Sequence, residues 1–249
     1  MGIGSRPTDM SRLFALAPSI RNRRNRIGLF LGLAGTALLM TPTARAQFGA
    51  PPTTQVHEPS ALRPPAGARV AIVEFEDMEC PDCARANPLL KEATEKYHIP
   101  WVRHDFPLPM HNWSFNAAVN ARWFDTKSKK IGDDYRDYIF DNQISINNPG
   151  DLTQYTATFA KSRGLALPFA LDPQGKLTAE VKADYALGQR IGIEHTPTIW
   201  VVTADSKGAP FVEVVDRSKL YQLIDQALAD TASAAKAPVK KPVSKTAAK

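Results

Sequence analysis

The chain has 249 residues, 43 % of them hydrophobic, a formal net charge of +6 and two cysteines, which is length enough for one domain with a real core. The charge is unevenly placed: residues 1–46 contribute +6 and residues 231–249 contribute +5, so residues 47–230 carry −5. An acidic folded part excludes a basic nucleic-acid-binding face.

Arg21, Arg23, Arg24 and Arg26 precede an uncharged apolar run at 27–40, shorter than the ~20 residues a membrane-spanning helix needs. Ala44-Arg45-Ala46 supplies a small-x-small cleavage pattern, so residues 1–46 read as a secretory signal peptide cut after Ala46. Arg23-Arg24 raises a twin-arginine route, although the residues after the pair match that motif poorly, and Met10 is an alternative start. No cysteine follows the apolar run to carry a lipid. The expected location is the periplasm or another extracytoplasmic compartment, where a cysteine pair can stay oxidised.

Residues 47–68, with Pro51, Pro52, Pro64 and Pro65, read as a proline-rich lead-in running extended over the surface. The apolar run at 70–73 has the character of a strand buried on both faces. Pro81 suits the first turn of a helix over 81–97, with Leu89, Leu90 and Ala93 on one face and a kink expected at Pro88. Residues 99–104 read as a second strand, stopped by Pro107 and Pro109.

From about 111 to 190 the pattern predicts an insertion of about four helices. Phe115, Ala118, Val119 and Trp123 share one face, as do Leu152, Tyr155, Thr156, Phe159 and Ala160, the latter helix capped by Asp151. Residues 131–142 and 177–187 supply the other two. Residues 198–203 and 211–215 then flank Asp205-Ser206-Lys207-Gly208 as a hairpin. Leu220, Leu223, Ile224, Ala227 and Leu228 form an amphipathic helix that should pack on the sheet. Residues 231–249, rich in Ala, Lys and Pro, are expected to be disordered. The domain therefore spans 69–230 in the order β-α-β, helical insertion, β-β-α.

Cys80-Pro81-Asp82-Cys83 falls where a strand gives way to a helix. Amide groups at a helix N-terminus stabilise a thiolate, the nucleophile of disulfide exchange. Cys80 is the better-placed attacker, and Cys83, about one turn on, can resolve a mixed disulfide formed on it. As a purely structural disulfide the pair would close too short a loop to stabilise much, and a zinc site would need two ligands that are not cysteine. Glu74 puts a charge in an apolar strand, which points to a buried, perturbed carboxyl.

The chain resembles the DsbA-like disulfide oxidoreductases of bacterial cell envelopes over roughly residues 68–230. The matching stretches are Val-Glu-Phe-Glu-Asp-Met-Glu-Cys-Pro-Asp-Cys (73–83), Asp-Phe-Pro-Leu-Pro-Met-His (105–111) and Gly-Ile-Glu-His-Thr-Pro-Thr (192–198). The resemblance implies an α/β thioredoxin-like fold with a mixed four-stranded sheet. It also implies an exposed attacking Cys80, a buried resolving Cys83 and a Glu74 that exchanges protons with Cys83. Thr196-Pro197 matches a loop whose proline is cis, faces the cysteines and helps hold a substrate strand, with His195 beside it. His111 and Trp113, opening the insertion, are further candidates for a substrate groove.

The strongest oxidants of that family carry histidine where this chain has Asp82. The Asp82 carboxylate, with Glu79 and Glu76 nearby, is expected to oppose the Cys80 thiolate by like charge and favour a more reducing pair, although Asp82 also suits the first turn of a helix. The reading is an exported thiol-disulfide oxidoreductase without a bound cofactor, acting on protein thiols or disulfides. A membrane partner, either a quinone-linked oxidase or a thiol carrier, would recycle it. Its alternatives are an envelope reductase with the same cysteines, a copper-binding protein using Cys80, Cys83 and His111 or His195, and a scaffold with idle cysteines.

Overall fold

A computed structural model of the chain describes residues 53–204 and 210–235. The elements run β1 (Val70–Glu76), α1 (Pro81–Tyr97), β2 (Trp101–Asp105), α2 (Ser114–Asp125), α3 (Lys129–Asn142), α4 (Pro149–Ser162), α5 (Lys176–Ile191), β3 (Thr198–Thr203), β4 (Phe211–Glu213) and α6 (Leu220–Ala235). The sheet order is β2-β1-β3-β4, with β1 parallel to β2 and antiparallel to β3, and β3 antiparallel to β4. The fold is thioredoxin-like, with a mixed sheet and an inserted set of helices. Among the described residues no helix is long and apolar enough to cross a membrane.

Every residue of β1 is buried, because strands flank it on both edges and helices cover both faces. Val70 and Ile72 pack with Leu90, Ala93, Leu220 and Ile224 of α1 and α6. Ala71, Val73 and Phe75 point the other way, toward Phe106, Ile191 and Trp200. Glu74 and Glu76 follow the parity of Ile72 and are carried into the same dry interior. A third cluster fills the insertion with Trp113, Phe124, Tyr135, Ile139, Leu152 and Phe159, and it reaches Met78, Cys80 and Cys83. The cysteine pair therefore lies at the seam between sheet and insertion.

Helix α1 runs through Pro88 to Tyr97 and stops at His98, which adopts the left-handed conformation with φ 51. The cap of α4 is Asn148 rather than Asp151: its side chain accepts from the Gly150 and Asp151 amides at 2.8 and 3.0 Å. Pro149, with a fixed φ and no N–H to offer, takes the first helical position and leaves Asn148 as the last non-helical residue. Strand β4 ends at Glu213, two residues short of expectation. The 205–208 turn of the hairpin and the signal peptide lie outside the described residues.

The lead-in does not simply run over the surface. Leu62 is fully buried among Ala71, Val73, Phe75, Ile191 and Trp200. The His57 amide donates to the Ile191 carbonyl at 2.9 Å, and the Thr54 amide and hydroxyl donate to the Glu213 carboxylate at 2.6 and 3.0 Å. Gly192 makes room for this contact: its φ is +100, and a Cβ there would lie 2.6 Å from the Gln55 carbonyl. At the other end, α6 passes the expected boundary at 230 and continues to Ala235. Thr231 is buried, and its hydroxyl donates to the Ala227 carbonyl at 2.9 Å. The Ala-rich start of the tail propagates a helix already nucleated and packed.

Leu62→Ala is expected to lower the unfolding free energy by about 2–4 kcal/mol in urea titration, the usual cost of emptying a buried leucine site. An unchanged midpoint would mean that the lead-in is not part of the core.

Candidate active site

Cys80 is the N-cap of α1, in extended backbone conformation, and Pro81 holds the first helical position. Cys80 is buried, with 8 % of the residue exposed, rather than the exposed attacker that the resemblance implies, because Thr196 and the insertion close over it, and Cys83 is fully buried; both are free thiols. The Cys80 thiol donates to the Thr196 carbonyl at 3.2 Å. It is pushed down to about 5, first by a hydrogen bond from Cys83, against the opposing effect of burial, and then by the side chain of Thr196, not its carbonyl, and the backbone N–H groups of Cys83 and Asp82. Cys83 goes the other way. Burial pushes its thiol well up, and the hydrogen bond to Cys80 and the charges of Cys80 and Glu74 push further; its sulfur accepts only a long contact, 3.4 Å, from the Asp77 amide. One cysteine is thus a ready thiolate and the other a thiol.

Glu74 is 1 % exposed in the central strand and accepts a hydrogen bond from Trp101 Nε1 at 3.0 Å. Burial raises its carboxyl to about 8, with the negative charge of Glu76 adding and Arg103 opposing. It is therefore protonated near neutral pH and electrostatically linked to Cys83.

The Thr196-Pro197 peptide is cis. Thr196 is buried against Cys80, and Thr198 donates through its hydroxyl to the His195 carbonyl at 2.6 Å. His195 is exposed and lines a cleft of about 250 Å³ with Asp82, Pro197, Ile199, Val214 and Arg217. On its other side it borders a second cleft of about 680 Å³ against Thr54, Gln55 and His57 of the lead-in. His111 is tied through Nδ1 to the Asp77 carboxylate at 2.7 Å. Trp113 does not line a groove: it is 1 % exposed, with its indole N–H donated to the Ile146 carbonyl at 3.0 Å.

The acidic neighbours are not arrayed against the Cys80 thiolate, contrary to the expectation from their proximity in sequence. Glu76 pairs with Arg103 at 2.6 Å. Glu79 accepts from the Trp113 and Ser114 amides at 2.7 and 3.0 Å and so caps α2. Asp82 pairs with Arg217 at 2.7 Å and Arg85 at 3.1 Å; although burial acts upward, these cations hold its carboxyl below the usual range. Local sequence does not reveal Arg217, Gln143 or Trp101 as parts of the site. Gln143 donates its amide to the Met78 and Cys80 carbonyls at 2.7 and 3.1 Å, tying the insertion to the cysteine loop. Trp101 gave a signal only as an aromatic residue in a strand beside the acid-bearing one. Among the described residues no cluster of three or more His, Cys, Asp or Glu could hold a metal ion.

A family model described as thioredoxin matches residues 65–216. No curated protein matches the chain. Among solved structures, alpha-DsbA1 from Wolbachia pipientis is 16 % identical with a TM-score of 0.55, covering 70 % of this chain and 91 % of its own. The thiol-disulfide exchange protein alpha-DsbA2 from the same organism is 18 % identical with a TM-score of 0.53, covering 66 % and 84 %. Proteus mirabilis ScsC in a transitional conformation is 20 % identical with a TM-score of 0.54, covering 69 % and 77 %. These similarities are of fold.

A carboxyl whose folded value is about 8 against an ordinary 4.5 costs stability as pH rises through that window, because the unfolded chain ionises first. Glu74→Gln, which keeps an acceptor for Trp101, is expected to raise the unfolding free energy of the reduced protein at pH 7 by about 1–3 kcal/mol and to change little at pH 4.5. Urea titrations at the two pH values measure the difference.

Proposed function

The chain belongs to the thioredoxin family, and from that membership we propose that it is an exported thiol-disulfide oxidoreductase that forms disulfides in protein substrates through Cys80 and Cys83. The observation that carries this reading is the asymmetry of the pair: a nearly buried Cys80 pushed down to about 5 at a helix N-terminus, and a Cys83 pushed well up beside it. A thiolate stabilised in the dithiol form makes the corresponding disulfide a strong oxidant. The neutralised Asp82 supports the oxidase direction over the reductase direction.

In the proposed cycle a substrate thiolate attacks Cys80 Sγ of the Cys80-Cys83 disulfide, forming a substrate-Cys80 bond and expelling Cys83 as thiolate. Glu74, held as a neutral acid, gives Cys83 its proton, consistent with the high proton affinity of that sulfur. A second substrate thiolate then attacks the substrate sulfur of the mixed disulfide and expels Cys80, whose anion the N-terminus of α1 stabilises. The substrate loses two electrons to become a disulfide, and the pair gains them as a dithiol. The cis Thr196-Pro197 peptide, with His195 at its rim, forms the wall against which an extended substrate segment would lie. No cofactor enters the chemistry. A quinone-linked membrane oxidase is the proposed electron acceptor for recycling, and the periplasm or an equivalent compartment the proposed location.

Equilibration of the protein, beginning at Gln47, with glutathione buffers is expected to give a potential toward the ~−120 mV of strong oxidants. Alkylation of the reduced protein by iodoacetamide should titrate with a midpoint near 5, and Cys80→Ser should abolish oxidation of a dithiol peptide. A potential near ~−270 mV would turn the proposal to the reductase direction, with a membrane thiol carrier as electron donor.

A further inference from the structure

Asp82 lies between the two cysteines, in the first turn of α1, where an uncompensated carboxylate would act on the Cys80 sulfur. Two guanidinium groups reach it. Arg85 comes from the same helix as an i,i+3 pair with 67 % of its side chain exposed, a geometry that water and salt weaken. Arg217 comes from the turn between β4 and α6, is only 32 % exposed, and holds Asp82 at two points: Nη2 donates to Oδ1 at 2.7 Å and Nη1 to the Asp82 carbonyl at 3.3 Å. The other titratable groups facing this cleft are His195 of the cis-proline loop and Glu213 of β4.

We propose that Arg217 is a positioning residue for the exchange reaction, which cancels the Asp82 charge and fixes the first turn of α1 so that the Cys80 thiolate persists beside an acidic residue. The proposal rests on the exchange chemistry above and adds a part to it: the acidic residue beside the thiolate is silenced by a cation that comes from another part of the chain. Histidine at the position of Asp82 would need no such residue. Arg217 touches no reacting atom and acts through Asp82 alone.

The test is the Cys80 thiolate titration, followed by absorbance at 240 nm in the reduced protein, for wild type, R217Q, R217K, D82N and the D82N/R217Q double variant, with thermal unfolding as the check on folding. R217Q is expected to lower the acid dissociation constant of Cys80 about tenfold and to shift the glutathione equilibrium toward the disulfide. R217K, which keeps the charge, should stay within about threefold of wild type. In the D82N background, where only the contact to the residue-82 carbonyl remains, the R217Q change should fall to about threefold or less. An R217Q titration equal to wild type, or an equal R217Q effect with and without Asp82, overturns the role of Arg217. If R217Q does not fold, D82N decides alone: Cys80 in D82N must be at least as acidic as in wild type, and a less acidic Cys80 overturns the proposal. A wild-type Cys80 with an ordinary thiol titration would instead sink the exchange reading itself, which separates the two failures.

Discussion

The first amides of α1 converge on one sulfur, and much of the molecule holds them there. Pro81 starts the helix, Asp82 and Cys83 offer their N–H groups to Cys80, and Thr196 closes the far side. Gln143 pins the carbonyls of Met78 and Cys80 from the insertion, and Arg217 grips Asp82 from the loop before α6. Three separate regions of chain therefore converge on three residues, Met78, Cys80 and Asp82. A helix dipole is effective only within its first turn, so sub-ångström rigidity there matters more than the length of the helix behind it.

The five carboxylates between 74 and 82 divide into two kinds. Four are held as hydrogen-bond acceptors: Glu76 by Arg103, Asp77 by His111 and the Leu108 amide, Glu79 by the start of α2, and Asp82 by Arg217. Glu74 meets an indole N–H instead of a cation at hydrogen-bonding distance, and with Glu76 adding its charge the cheaper state is the protonated one. A uniform run of acids in the sequence thus becomes four struts and one neutral acid. Arg103 is shared in this arrangement, bonded to Glu76 and stacked 4.2 Å over Trp101, so the same cation stiffens the donor that faces Glu74.

The order of elements was legible because each carries its own periodicity: the fully apolar start of β1, the spaced apolar faces of α2 and α4, the two branched runs of the β3-β4 hairpin. The cysteines and the Thr196-Pro197 loop were legible because their spacing is local. The electrostatics around Cys80 were not. Proximity in sequence sets Asp82 and Glu79 against the thiolate; apart from Arg85 one turn along the helix, the groups that hold them come from 34 to 135 residues away and follow from tertiary packing. Leu62 was hidden for a related reason: one leucine among prolines carries no period, and only the pocket between β1, α5 and β3 makes it core. Asn148 and not Asp151 caps α4 because Pro149 takes the first helical position and leaves Asn148 as the last residue outside the helix, a matter of order in the chain that residue type alone does not decide.

The antiparallel pairing of β1 with β3 has a temporal side. Val70 faces Thr203 and Phe75 faces Thr198, so the central strand, one of the first elements to be synthesised, waits for one of the last before its ladder can close. Loop-closure entropy across such a separation is only modestly larger than for a short loop, but the waiting exposes a strand edge that begins with four apolar residues, Val70 to Val73, in the strand that leads to the two thiols. The helices of the insertion, whose contacts are mainly among themselves, can organise in the interval. The seam at the cysteines is consequently completed late, and a newly made chain has no proline loop beside its cysteines until its C-terminal quarter arrives.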